Sequence, residues 1–269
     1  MNLGEFGISG AEPVSGGCIH RCYRARLGSR TVFLKLNDAR FADAFAAEAD
    51  GLRALRDAGC RAPEPLSHGA TGASAYLLLE FLELRSGGDF ASLGTMLAAL
   101  HGRAAERYGW PRDNYIGSTA QPNGGSESWT AFWRERRLEP QLALAARNGY
   151  RIDVAPVWQL LEGHEPAPSL LHGDLWSGNA GFLPDGAPVL FDPAVYHGDR
   201  EADLAMTELF GGFPRQFYAA YEAAWPLAPG YERRKHLYNL YHLLNHLNLF
   251  GGGYLAQVRS TLRLLARGL

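Results

Sequence analysis

Lysine is almost missing from this chain. Of 26 basic side chains only Lys35 and Lys235 are lysines, and the rest are arginines. Cysteine is nearly as scarce. Cys18, Cys22 and Cys60 form an odd, small set, which argues against a disulfide framework and fits a reducing cytoplasm. No uninterrupted apolar run approaches the roughly 20 residues needed to cross a bilayer. The opening stretch MNLGEFGISG has neither a basic start nor an apolar core, so no targeting segment is expected. Neither sign of charge is in excess: the formal net charge is −2, which gives no footprint of a nucleic-acid or membrane partner. Repeats and low-complexity tracts are also absent. What is present is the composition of a soluble globular protein, 46% hydrophobic and 20% charged over 269 residues, enough for one large domain or two lobes with sizeable cores.

The first part of the chain reads as strands. AEPVSGGCIHRCYRARLGSRTVFLKLN breaks at Gly16-Gly17 and at Gly28-Ser29 into two or three of them. A helix is expected from about residue 38 to 57, and SAYLLLEFLEL (74–84) reads as a buried strand running into a connector. RSGGD (85–89) is turn-like. Beyond it the pattern is mostly helical: Phe90, Leu93, Leu97 and Leu100 keep helical spacing. Residues 109–128 read as a long polar loop, and 129–149 as a helix broken near Pro140 and ended by Gly149. A short strand is expected near Leu170 and another over 188–196, then helices over about 200–223, 231–249 and 254–267.

Lys35 interrupts an apolar strand, TVFLKLN (31–37). Thr31, Phe33 and Lys35 point one way and Val32, Leu34 and Leu36 the other, and both faces are largely apolar. A buried ammonium needs a partner. In the helix that follows, Phe41, Phe45, Leu52 and Leu55 form an apolar stripe, and Glu48 falls in its middle. A cation and an anion each out of pattern suggest an ion pair across a strand–helix contact. The alternative is that Lys35 snorkels to solvent and Glu48 sits at the rim of the stripe.

A second constellation lies in LLHGDLWSGN, where His172, Asp174 and Asn179 keep the spacing of a phosphotransferase catalytic loop. Such a loop needs a carboxylate to orient the attacking hydroxyl and accept its proton, and an amide oxygen for Mg²⁺. A further carboxylate on the metal is usual, and Asp192 in VLFDPAVY ends an apolar run within reach of a hairpin return. Taken singly, Asp192-Pro193 could be an ordinary turn and His172-Gly173-Asp174 an ordinary loop. Gly16 and Gly17 in VSGGC could bring backbone N–H groups close to phosphates, although Gly-Gly also makes ordinary hairpins.

With these residues in hand, the sequence resembles the fructosamine kinase (ketosamine kinase) family, a branch of the protein-kinase-like phosphotransferases related to aminoglycoside and choline kinases. The resemblance rests on FLKLN, the helix glutamate and HGDLWSGN with its Trp176. It rests also on FDPAVYHGDREADLAMTELFGGF (191–213), SGGCI (15–19), DNYIG (113–117), WTAFWRERRLEPQL (129–142) and LYNLYHLLNHLNLFGGGY (237–254). It implies an α+β, two-lobed kinase-like fold, with a β-rich nucleotide-binding lobe over 1–82, a mainly helical catalytic lobe over 83–269, and ATP between them. The implied activity is ATP-dependent phosphorylation of the C3 hydroxyl of ketosamines, free or on protein lysines, which destabilises the adduct and leads to deglycation. Asp174 would be the catalytic base, and Asn179 and Asp192 would hold Mg²⁺. Gly16 and Gly17 would approach the ATP phosphates, Lys35 would contact them with Glu48 fixing it, and Glu80, Phe81 and Leu82 would form the adenine-binding link. His20 departs from the small polar residue expected after the glycine turn. The alternatives are a kinase of aminoglycosides or choline, and a nucleotide-binding pseudokinase. A cytoplasmic monomer is expected.

Several other residues carry weaker expectations. Cys18, His20 and Cys22 share a strand face but lack zinc spacing, and Cys18 is open to redox control from within the glycine turn. His242 and His246 read as helix-surface or groove-lining histidines. Trp129 and Trp133 read as core or as walls of a sugar cleft. Asp199 and Asp203 are expected to brace the catalytic loop by hydrogen bonds.

Overall fold

The computed structural model of the chain describes residues 7–14 and 19–267. Gly16, Gly17 and Cys18 therefore lie outside the described residues. Two compact units emerge, 1–89 with 180–193, and 90–179 with 194–269.

The first unit is built on an antiparallel sheet of β1 (Ile8–Pro13), β2 (Arg21–Leu27), β3 (Arg30–Asp38), β4 (Pro65–Thr71) and β5 (Ser74–Glu80), in the order β1-β2-β3-β5-β4. Two-residue loops close two of its hairpins. Gly28-Ser29 joins Leu27 to Arg30, and Gly72-Ala73 joins Thr71 to Ser74. In each loop only the glycine has positive φ, +60° and +53°, the pattern that suits the twist of paired strands. Val32, Leu34 and Leu36 of β3 pack with Ile8, Ala25 and Leu78 on one face of the sheet. The helix α1 (Ala42–Asp57) buries Phe45, Leu52 and Leu55. A hairpin of β9 (Ala180–Phe182) and β10 (Pro188–Leu190) belongs to this unit, tied to it by backbone bonds between Arg85 and Phe182 and from Leu190 N–H to the Arg61 carbonyl.

The second unit is mainly helical: α2 (Phe90–His101), α3 (Trp129–Phe132), α4 (Glu139–Arg147), α5 (Glu201–Leu209), α6 (Arg215–Ala224), α7 (Tyr231–Phe250) and α8 (Leu255–Ala266). Between α3 and α4, residues 133–138 form a wider π-helical turn, and Pro140 follows at the start of α4, where its missing N–H is tolerated. Arg137 in this turn is fully buried, its guanidinium 3.9 Å from the Tyr196 ring centroid and bonded to the Asn123 side chain at 2.7 Å. Trp129 and Trp133 are buried too, so the core reading of this pair holds over the cleft reading. α7 is buried nearly all round, through Leu237, Leu240, Leu244 and Leu247 and also through Tyr238, Tyr241, His242 and Asn245.

The polar stretch 109–128 is not simply a loop. It contains the hairpin β6 (Asn114–Ile116) and β7 (Thr119–Gln121). Asn114 and Gln121 are buried and mutually bonded, and they donate to the carbonyls of Val195 and Ala194. These amides read as loop residues because their polarity is satisfied inside the protein. The expected strand over 188–196 is two strands, β10 and β11 (Tyr196–Gly198), with β11 pairing against β8 (Ser169–Leu171). The expected helix over 200–223 is likewise two, because Gly211 and Gly212 take positive φ and Pro214 follows.

Candidate active site

In the first unit the puzzle of Lys35 resolves into a cluster. Register places Lys35 opposite Cys22 of β2 and Leu77 of β5, in the interior of the sheet. It is 4% exposed. Its Nζ donates to Glu48 Oε1 at 2.7 Å and also to Asp192 Oδ1. Burial alone would lower the lysine pKa, but the Asp192 and Glu48 carboxylates together hold it above the ordinary value. For Glu48, burial is the larger influence and pushes the carboxyl up to about 7, against the pull of Lys35. Asp192 is the one non-glycine residue with positive φ among the described residues, at +55°. Asp tolerates that region, and the sharp turn it makes after β10 presents its carboxylate to Lys35. Its side chain remains 45% exposed.

His20 fits this unit without strain. Its ring packs against Phe41 and Phe45 and its Nδ1 lies 2.9 Å from the Asn37 amide. Burial, with Lys35 nearby, lowers its pKa to about 4. The Glu80 carboxylate is taken up by Arg61, with bonds of 2.6 and 2.9 Å, and its backbone N–H by the Glu64 carbonyl. The Phe81 ring lies beneath the Arg24 guanidinium at 5.2 Å, and Leu82 is half-buried in the irregular segment after β5.

In the second unit, β8 leads into the catalytic-loop motif. The Asp203 carboxylate of α5 accepts the backbone N–H groups of His172 (2.7 Å) and Gly173 (2.8 Å) and also meets His101 at 3.2 Å. Burial would raise its pKa, but the His101 bond, nearby histidine charge and the Gly173 N–H bring it below the usual carboxylate value. Asp203 thus braces the loop as expected. Asp199 does not. It accepts from Tyr238 Oη, from Glu201 N–H and from the His164 side, so its expected role is corrected. Asn179 donates through Nδ2 to the Asp174 carbonyl (2.8 Å) and carboxylate (3.3 Å), leaving its amide oxygen as the atom available to a cation. Gly173 has φ +82°, and a Cβ there would come within 2.0 Å of the Ala194 carbonyl oxygen. Gly173→Ala is therefore expected to shift the loop backbone and cut turnover about 100-fold, read by steady-state kinetics alongside a melting curve.

His242 does not lie on the helix surface, one of the two placements expected from the sequence. It is 3% exposed, its Nδ1 has no hydrogen-bond partner and lies 4.0 Å from Asp174 Oδ1. Burial, and then His246, lowers its pKa to about 3. A neutral imidazole therefore sits beside the candidate base. His242 and His20 refuse protons that an unfolded chain accepts near pH 6.5, so their contribution to stability is complete above that pH and is lost as pH falls toward 4 and then 3. The urea midpoint should drop between about pH 7 and about pH 5, and His242→Gln should drop less; equal drops would contradict the assignment.

The chain matches the family model described as fructosamine kinase over residues 2–267. A protein of Synechocystis named a probable ketoamine kinase is 48% identical over 267 residues, covering 96% of this chain and 90% of its own length. The chloroplastic protein-ribulosamine 3-kinase of Oryza sativa subsp. indica is 40% identical, covering 94% and 78%. A solved structure from Haemophilus somnus 129PT that carries the name fructosamine-3-kinase superposes with a TM-score of 0.90 at 31% identity, over 97% of this chain and 92% of that one. The aminoglycoside phosphotransferase APH(4)-Ia, at 14% identity and a TM-score of 0.64 over 99% and 97%, shares the fold, which is that of the protein-kinase-like phosphotransferases. From its sequence match and these relatives, the chain belongs to the fructosamine kinase family.

Proposed function

We propose that this chain is an ATP-dependent kinase that transfers a phosphoryl group to the C3 hydroxyl of ketosamines, ribulosamine-type adducts among them. The observation that carries the reading is the Lys35–Glu48–Asp192 cluster, a buried ammonium held between two carboxylates in a chain that also presents Asp174 beside Asn179. Lys35 contacts the nucleotide phosphates, and Glu48 fixes the ammonium for that task. Asp174 orients the acceptor hydroxyl and receives its proton. Asn179 would offer an amide oxygen and Asp192 a carboxylate, each a hard donor of the kind Mg²⁺ takes. When bound, that ion neutralises charge developing on the transferred phosphate. Gly16 and Gly17, outside the described residues, are assigned to phosphate contact, and Glu80, Phe81 and Leu82 to adenine contact through the backbone, the Glu80 side chain being committed to Arg61.

A pseudokinase reading lacks its expected feature, a missing catalytic group, since Lys35, Glu48, Asp174, Asn179 and Asp192 are all present. Cys22 and Cys60 form no disulfide, which suits a reducing cytoplasm. No helix among the described residues is long and apolar enough to cross a membrane. Steady-state assays with ribulosamine, fructosamine and kanamycin test the substrate class. Turnover of a ketosamine with kanamycin inert is the expected result; turnover of kanamycin alone would overturn it.

A further inference from the structure

The second unit holds a cavity that none of these roles uses. Its volume is about 270 Å³, and His164, Glu165, Ser169, Asp199, Arg200 and Glu201 are among its lining residues. One nitrogen or oxygen atom from each of His164, Asp199 and Glu201 lies within 4.8 Å of the other two. Asp199 and Glu201 are buried, and His164 is half-buried. Independently, Ser169 is 0% exposed, lines the same cavity, and its hydroxyl has no hydrogen-bond partner. Buried hydroxyls are rarely left unpaired.

Glu201 is held by Arg234 through bonds of 2.6 and 2.8 Å. Arg200 lines the cavity but donates to Tyr221 Oη and to the carbonyls of Trp225 and Pro226 rather than to either carboxylate. Asp199 accepts from the Tyr238 hydroxyl and the Glu201 N–H, and its carboxylate lies 2.7 Å from the His164 ring.

We propose that this cavity binds one divalent transition-metal ion through His164, Asp199 and Glu201, with Ser169 Oγ or a water completing the shell. One imidazole nitrogen and two carboxylates suit Zn²⁺ or Mn²⁺ better than the all-oxygen shells of Mg²⁺ and Ca²⁺. Each carboxylate keeps lone pairs beyond those its present partners use. The location gives the ion a positioning task. Ser169 opens β8, which runs into His172 and Gly173, and Glu201 stands two residues before Asp203, which holds the backbone of those two residues. An ion here would clamp the two elements that Asp203 already links. It is a site separate from the Mg²⁺ ligands proposed above, and its test does not depend on kinase activity.

The test is isothermal titration of chelator-stripped, Mg²⁺-free protein with ZnCl₂ and with MnCl₂, together with melting curves. Wild type should take up one ion per chain and gain about 5 °C in Tm at saturation. His164→Ala should bind at least about tenfold more weakly, whereas Asp192→Asn should bind like wild type. Failure of the wild type to bind either ion at millimolar concentration would overturn the proposal, as would equal binding by His164→Ala or loss of binding in Asp192→Asn. Should His164→Ala fail to fold, the Co²⁺ form of the wild type decides: visible bands of a nitrogen- and oxygen-ligated ion support the site, and the spectrum of free aqueous Co²⁺ refutes it.

Discussion

Asp174→Asn lowers kcat by about 10³-fold while the dissociation constant for ATP stays within about a factor of two: that is the result expected from the proposed division of labour. The amide keeps the size and shape of the carboxylate but cannot take a proton from the acceptor hydroxyl. The loop should survive the change. Its geometry depends on Asp203 holding the N–H groups of His172 and Gly173, and on Asn179 bonding the carbonyl of residue 174, none of which involves the altered side chain. Steady-state kinetics paired with nucleotide binding by titration separates the two quantities. Near-normal turnover would remove Asp174 from the chemistry.

Lys35→Met carries the second large effect, and it acts on stability as well as on rate. The substitution leaves Glu48 buried without its cation and Asp192 without its nearest one. Breaking a buried pair by removing one member costs about 3–5 kcal/mol, which for a chain of this size lowers Tm by about 10 °C. The kcat/KM for ATP should fall about 10²- to 10³-fold as the phosphates lose a fixed positive charge. A double variant, Lys35→Met with Glu48→Leu, distinguishes the two losses. Replacing a buried ion pair by apolar side chains is often close to neutral in stability, so Tm should largely recover while activity does not. Recovery of both would make Lys35 a purely structural residue, and turnover within tenfold of wild type in Lys35→Met would do the same.

Lys35 and Glu48 could be read in the sequence because each breaks an otherwise apolar pattern, and a charge placed against its pattern points to its partner. The hairpin turn at Gly28 and the long helix α7 were legible for similar local reasons, whereas β4 and the turn at Gly72 were not anticipated. What stayed hidden depended on tertiary satisfaction of polar groups. Asn114 and Gln121 look like loop residues until their amides are seen bonded to the carbonyls of Val195 and Ala194. His242 looked like surface or groove because α7 was read as amphipathic, yet that helix is covered on nearly every side. Its one available signal was the run of Tyr238, Tyr241, His242 and Asn245, a second stripe of large or polar side chains beside the leucines. Asp199 and Asp203 stand one helical turn apart in a single motif, yet only Asp203 reaches the catalytic loop, while Asp199 turns toward His164 and Tyr238. Spacing alone could not divide those roles, because the division is made by partners distant in the chain.

Mapping the ester formed from ATP and a ribulosamine, by phosphorus–proton coupling in the NMR spectrum of the product, tests the central claim most directly. Phosphate on the C3 oxygen is the predicted outcome. A product phosphorylated at another hydroxyl, or no phosphorylated ketosamine at all from active, nucleotide-binding protein, would contradict it.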